Sequence, residues 1–585
     1  MKAAGLLLVF ILAKLAVLTG HMPSWSLWTA IAYFWQDVLV SLLILIAGTV
    51  LRAGRVKMRP DWLLYWTLVI YVALNIPVGR VLFTPITLPM LRATRGALVD
   101  SLLIYLTWTN GLFISLVVGA GMLPFLVREA SARHPALKRA LVAAALATVG
   151  LGPAAGRHVD TFGLNRNVLA ALVSSALPHV TARAGANDWR VSPFDAGRPE
   201  DLSSVRGLAR NRNVVLISLE STAAQYLGIY GASVDPTPNL TRLASNAIVF
   251  DNAYAVYPES IKGLFSILCA IFPAFDSSAE MYEQISCPTV PATLADAGYR
   301  TALFHSGRFG YLGMESIIRN RGYQLLADAG DIGGNRNSSF GVDEPSTVDR
   351  MLSWIDSRPR TEPFLLTYLP IAGHHPYESP EGGPFSNADD LGRYLNALNY
   401  GDAALGALVQ GLGRRGLQDN TLWIIMGDHG EAFGQHAGNF GHTFFLYDEN
   451  VRVPFVVAAP GALIGQTRVR KTVSLIDTAP TILDLMGIPA PAVYQGRSML
   501  DDSQRMALFF ADYSLGLVGL RDGPWKFIHE LESKRDRLFD LERDPLERTD
   551  ISGDHVERAA WYRQNLLGWS AAQKDRLTAT VASVD

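Results

Sequence analysis

Five apolar stretches crowd the first quarter of this 585-residue chain, near 3–20, 31–51, 62–85, 100–128 and 137–155. Each is long enough to cross a bilayer, which needs roughly 20 apolar residues. Five such runs in succession predict a membrane domain of about five helices over residues 1–157. The first, MKAAGLLLVFILAKLAVLTG, begins where a signal peptide would. Lys14 interrupts its apolar run, no clear small-residue cleavage site follows, and further spans come after it, so it reads as a retained helix.

Basic residues in the loops set the orientation. The second loop carries Arg52, Arg55, Lys57 and Arg59, the fourth carries Arg128, Arg133, Lys138 and Arg139, and the first carries none. Loops rich in Lys and Arg stay cytoplasmic, so an odd number of spans sends the C-terminal bulk outside. Arg80, Arg92 and Arg95 in the third loop argue weakly the other way, and four or six spans would reverse the topology. Cys269 and Cys287 both fall in the outer region, where they either pair as a disulfide or remain two buried thiols.

The texture changes beyond the spans. Residues 158–205 read as a linker, and NRNVLAALVSSALPHVTARAG (165–185) has the apolar spacing of either an interfacial helix or a packed connector. From 206 to 500, short apolar runs alternate with amphipathic helices: NVVLISLE, PFLLTYLPIAGHH, LWIIMGDHGE and VPFVVAAPG. That alternation predicts an α/β domain with a mostly parallel sheet sandwiched by helices. Residues 501–585 predict a small antiparallel C-terminal subdomain and a final helix near 556–580. A formal net charge of -2 offers no basic field for nucleic acid.

Ligands gather at the carboxyl ends of parallel strands, and polar residues stand there in this chain. Glu220 ends one strand, His374 and His375 follow another, Asp428 and His429 follow LWIIMG, and His442 comes soon after. Carboxylates and imidazoles at one sheet edge suit a divalent ion such as zinc or manganese, with magnesium or calcium as alternatives. Glycine beside the Asp-His pair would let the backbone approach the ion. In VYPESIKGLFSILCAIFP, Ser260 opens an apolar helix, where it reads either as a nucleophile facing an anion or as a helix N-cap.

Taken together, NVVLISLESTAAQYLGIYG, DPTPNLTRLASNAIVFDNAYA, GHHPY, GDHGEAFGQHAGNFGHTFFLYDENVRVPFVV and SLIDTAPTILDLMGIP resemble the sulfatase and phosphotransferase branch of the alkaline phosphatase superfamily. WKFIHELESKRDRLFDLERDPLERTDIS is similar to the sulfatase C-terminal signature. Five spans ahead of such a domain resemble the lipoteichoic acid synthase and phosphoethanolamine transferase groups. This resemblance implies an alkaline phosphatase-like fold, with Glu220, Asp428 and His429 holding the ion and Ser260 as nucleophile and additional ligand. His374 and His442 would contact the substrate's anionic group or a second metal, Arg308 would bind phosphate, and Lys262 would either reach the anion or lie solvated on its helix.

Departures from the pattern separate the branches. Sulfatases convert a Cys or Ser to formylglycine in a (Cys/Ser)-x-(Pro/Ala)-x-Arg context, whereas SIKGL has Lys262 and Leu264 at the last two defining positions. A single Glu220 in place of paired Asp residues is the transferase pattern, although transferases mostly use threonine as nucleophile. The resemblance therefore implies a multi-pass enzyme of the bacterial inner membrane with its catalytic domain on the periplasmic or extracellular side. It would move a phospholipid-derived phospho-headgroup, of phosphoglycerol or phosphoethanolamine type, through a phosphoseryl intermediate to an envelope glycan or lipid. Hydrolysis of sulfate or phosphate esters is the alternative.

Overall fold

The computed structural model describes residues 2–19, 26–53, 61–93, 107–126, 135–180, 188–194, 200–335, 341–380 and 382–582. The chain divides into two compact units, Met1–Pro178 with His436–Phe440, and His179–Gln435 with Gly441–Asp585.

In the first unit every apolar stretch contains a helix: Lys2–Leu18, Leu27–Ala53, Asp61–Leu82, Trp108–Ala120 and Pro135–His158. Three segments, Leu27–Val50, Trp62–Leu82 and Arg139–His158, are long and apolar enough to cross a membrane. The other two helices are described over 17 and 13 residues. Arg55, Lys57, Arg59, Arg95, Arg128 and Arg133, on which the expected orientation rests, lie outside the described residues. Exposed Leu43, Ile46, Leu63, Ile70, Leu112 and Leu116 give these helices an apolar exterior that suits lipid. Lys14, the charge inside the first apolar run, is buried and paired with Asp37 at 2.5 Å, and its ammonium also donates to the Tyr33 carbonyl at 2.8 Å. Pairing of this kind offsets the cost of burying a charge.

The second unit is built on a nine-stranded sheet. Its strands in chain order are β1 (Asn213–Leu219), β2 (Ala247–Tyr254), β3 (Arg300–His305), β4 (Leu325–Ala327), β5 (Phe364–Leu369) and β6 (Thr421–Gly427). After the two-residue strands β7 (Ala432–Phe433) and β8 (Phe440–Gly441) come β9 (Arg452–Val453), β10 (Phe455–Ala458) and β11 (Thr467–Ser474). The order is β11-β2-β10-β6-β1-β5-β3-β4, with β9 paired to β2. The ladders β1/β5, β1/β6, β3/β5, β3/β4 and β11/β2 are parallel. β10 runs antiparallel to both β6 and β2. The connection from β6 to β10 never crosses back over the sheet, so the chain re-enters from the edge where β6 left it. Residues 428–435 and 441–451 consequently stay at that edge.

Strand side chains alternate between two buried faces. Val215, Ile217, Leu366, Tyr368, Trp423 and Ile425 join the helices around Met351 and Leu405 on one face. Val214, Leu216, Leu365, Ile424 and Met426 join Leu294, Ile482 and Leu483 on the other. Burial on both sides explains why these strands read as continuous apolar runs rather than alternating ones.

Four further strands, β12 (Ala507–Ala511), β13 (Leu517–Asp522), β14 (Trp525–Glu530) and β15 (Asp536–Asp540), form an antiparallel meander. The helix Val556–Ala582 covers it through Ala559, Tyr562, Leu566 and Trp569. Cys269 and Cys287 are joined in a disulfide, which settles the choice between pairing and two separate thiols.

Candidate active site

Parallel pairing of β1 with β6 puts Leu219 opposite Gly427. The next residues, Glu220 and Asp428, therefore leave the sheet side by side, and the Asp428 amide donates to the Leu219 carbonyl at 3.1 Å. Glycine is required on this turn: a Cβ at Gly427 would strike the Thr222 carbonyl, and one at Gly430 the Glu449 carbonyl. Both glycines thus admit neighbouring backbone, not an ion as the residue pattern suggested.

The amides of Ser221 and His429 donate to Asp428 Oδ1 at 2.9 and 2.7 Å, leaving Oδ2 for the site. His429 is fully buried. Its Nδ1 lies 3.0 Å from the Gly430 carbonyl, so Nδ1 carries the hydrogen and Nε2 presents its lone pair. Nε2 faces Glu220 at 3.6 Å and Asp428 at 3.5 Å.

Ser260 completes the cluster from the first turn of the helix Ser260–Cys269. Its hydroxyl lies 2.6 Å from Asp428 Oδ2, 3.0 Å from Glu220 Oε2 and 3.4 Å from His429 Nε2. The cap is Glu259, whose carboxylate accepts from the Ile261 amide at 3.0 Å. Ser260 is accordingly free of the capping task, and its hydroxyl points at the two acids.

Lys262 needs a correction. It is neither solvated nor turned toward the site: its ammonium is buried and donates to both Asp512 oxygens, at 2.9 and 2.8 Å. Two residues along an α-helix is a rotation of about 200°, which sends Lys262 away from Ser260.

His442 and His374 stand beside the cluster, and the ring of His442 lies 4.2 Å from that of His429 and 6.5 Å from that of His374. Burial, with His374 acting in the same direction, pushes His442 down to about 3, so its ring is neutral. His374 turns Nδ1 to the His375 carbonyl at 2.6 Å. Arg308 follows β3 at the same sheet edge and is half-buried.

Two acids at this edge carry functions that the residue pattern left unassigned. Glu344 accepts at one oxygen from Ser306 Oγ and the Ile371 amide, both at 2.9 Å, and at the other from the Tyr368 phenol. It thereby ties the loop of Arg308 to the loop of His374. Glu431 accepts from the Tyr377 phenol at 2.6 Å and lies 2.7 Å from His442 Nδ1. It stands in the same short stretch as Asp428 and His429, but sequence spacing says nothing of which imidazole it meets.

The donor set fits a divalent cation. Glu220, Asp428 and His429 each offer a ligand atom within 4.8 Å of the others. Burial, and then the neighbouring Asp428, push the Glu220 carboxyl up to about 8, against the opposing pull of His429. Two acids crowded together with an imidazole lone pair and a hydroxyl form a set that a cation relieves. Ligation needs the Glu220 carboxylate, so loading at pH 6.5 is expected to expel about one proton per ion, and none above pH 9. Apparent affinity should rise with pH up to about 8. Calorimetric titration in two buffers of different ionisation enthalpy reads the proton count directly.

Comparison with known proteins bears on the body that holds this site. Residues 212–488 match the Sulfatase family model. The second unit carries a sulfatase-like enzyme domain. Residues 434–563 of this sulfatase-like chain also match the C-terminal model of N-sulphoglucosamine sulphohydrolase. A lipoteichoic acid synthase-like protein, YvgJ of Bacillus subtilis, is 24% identical over 335 residues, covering 53% of this chain and 54% of its own. An arylsulfatase of Clostridium perfringens is 23% identical over 454 residues, covering 61% and 93%. The chain thus spans about half the length of its synthase-like relative and nearly all of the arylsulfatase. Among solved structures, the lipoteichoic acid synthase LtaP of Listeria monocytogenes superposes with a TM-score of 0.54 at 16% identity, covering 65% of this chain and 96% of that one. An alkaline phosphatase superfamily protein of Vibrio parahaemolyticus gives 0.53 at 20% identity, covering 67% and 94%. These likenesses establish the sulfatase-like fold.

Proposed function

We propose that the protein is a membrane-anchored, metal-dependent phosphotransferase that moves a phospho-headgroup from a phospholipid to an envelope glycan or lipid. One observation carries this reading: the Ser260 hydroxyl sits 2.6 Å from Asp428 and 3.0 Å from Glu220, in a sequence context that lacks the formylglycine pattern. An unmodified serine held against two acids is the arrangement an oxygen nucleophile needs.

Glu220, Ser260, Asp428 and His429 would hold the ion, and their mixed oxygen and nitrogen set suits zinc or manganese. When bound, the cation supplies charge stabilisation and lowers the hydroxyl's pKa. Ser260 Oγ attacks phosphorus, the bond to the lipid alcohol breaks, and an acceptor hydroxyl then displaces Oγ. Arg308 and His374 bind the phosphoryl oxygens. Anchoring in the bacterial inner membrane, with the catalytic unit on the periplasmic or extracellular side, holds the site beside lipid headgroups and raises the donor's effective concentration. The Cys269–Cys287 disulfide supports that location, since such bonds persist in oxidising compartments.

Ester hydrolysis, of sulfate or phosphate, is the second reading, favoured by the sulphohydrolase-like C-terminal region. Incubation of the full chain with head-labelled phospholipid, followed by mass spectrometry of the peptide containing Ser260, separates the two. A phosphoryl adduct and label on a second alcohol are expected. Formylglycine at position 260 would overturn the transferase reading.

A further inference from the structure

We propose that Glu431 is a positioning residue for His442, holding its ring so that Nε2 receives the proton of the hydroxyl that attacks phosphoserine 260. The inference rests on the phosphotransferase reading above and assigns that site's second half-reaction.

Glu431 is 1% exposed, and a carboxylate so deeply buried must have its oxygens satisfied. The Tyr377 phenol donates to Oε1 at 2.6 Å, and His442 Nδ1 lies 2.7 Å from Oε2. With the Tyr377 phenol donating to Oε1, Oε2 is the acceptor that Nδ1 faces, which places the ring hydrogen on Nδ1 and the lone pair on Nε2. The ring cannot swing freely, because it lies against His429 at 4.2 Å. The Asn450 side chain also holds the backbone beneath it, donating to the Gly441 carbonyl at 3.2 Å and the His442 carbonyl at 3.4 Å. Three separate loops meet in this arrangement: Tyr377 beyond β5, Glu431 beyond β6, and His442.

The other imidazoles at the site are otherwise engaged. His429 turns Nε2 to Glu220 and Asp428, and His374 turns Nδ1 to the His375 carbonyl. His442 is backed at Nδ1 by a buried carboxylate, an arrangement that fixes a base in one tautomer. The acceptor's O–H proton passes to His442 Nε2 as the new P–O bond forms and the Ser260 Oγ–P bond breaks. The same proton then moves to Oγ, regenerating serine and neutral histidine.

His429, Glu431 and His442 also lie close enough together to share a cation, and the experiment must separate that arrangement from a hydrogen-bonded pair. In the full-length enzyme, Glu431→Ala is expected to leave formation of the Ser260 adduct intact, slow its decay and lower kcat about 10–100-fold with kcat/KM for the donor unchanged. Glu431→Gln should recover part of the loss, since its amide oxygen still accepts from Nδ1. The double variant Glu431→Ala/His442→Ala should be no slower than His442→Ala. Independently of activity, the 15N spectrum of histidine-labelled, metal-free protein should show His442 as the Nδ1–H tautomer, changed in Glu431→Ala. Losses that multiply in the double variant, an Nε2–H tautomer, or a second bound ion lost with Glu431 would each overturn the proposal. A wild-type enzyme without any Ser260 adduct sinks the transferase reading and the step built on it, whereas the tautomer and metal count bear on Glu431 alone.

Discussion

Ser260→Ala is expected to lower turnover by at least about 10⁴-fold while leaving the melting temperature of the catalytic unit nearly unchanged. The two halves of that result have separate causes. Oγ is the hydroxyl that the two acids address, at 2.6 and 3.0 Å, and alanine supplies no substitute atom. Stability should be spared because Glu259, not Ser260, caps the helix, and alanine is well tolerated in helical conformation. Transfer of labelled headgroup and a thermal melt on the same preparation check both. Retained transfer in the variant would remove Ser260 from the chemistry.

Lys526→Met is expected to destabilise the catalytic unit by roughly 3–5 kcal/mol, lowering its melting temperature by several degrees. Lys526 on β14 is 0% exposed and sits between Asp448 at 2.7 Å and Glu547 at 2.9 Å. The ammonium holds Asp448 below the ordinary carboxylate range against the cost of burial, while burial still pushes Glu547 up to about 7. Methionine fills the volume and leaves two buried acids facing each other without the ammonium that bonded both. Asp448 opens the short helix Asp448–Val451, in the segment that follows His442. The variant should therefore lose activity at temperatures where wild type is still active. An unchanged melt would show that the pair of acids finds another partner.

How far the residues disclosed these features in advance depends on the range of the interaction. The α/β organisation was readable because strands buried on both faces must be continuously apolar, as in NVVLISL and TLWIIMG. Glu220 and Asp428 were readable as a pair because each directly follows such a run and parallel strands end at one edge. Lys262 was misassigned because nearness to Ser260 in the chain says nothing about the side of the helix on which its partner, Asp512, stands 250 residues later.

Local chemistry, written along the chain, therefore specified the apolar N-terminal helices, the strands and the acids and imidazoles at their tips. Which imidazole is backed by Glu431, which acid receives Lys262 and which residue caps the Ser260 helix were settled only by folding. Each of these choices depends on the direction in which a side chain points, across the chain for Lys262 and Asp512 and within one turn for Glu259, and no periodicity encodes that direction.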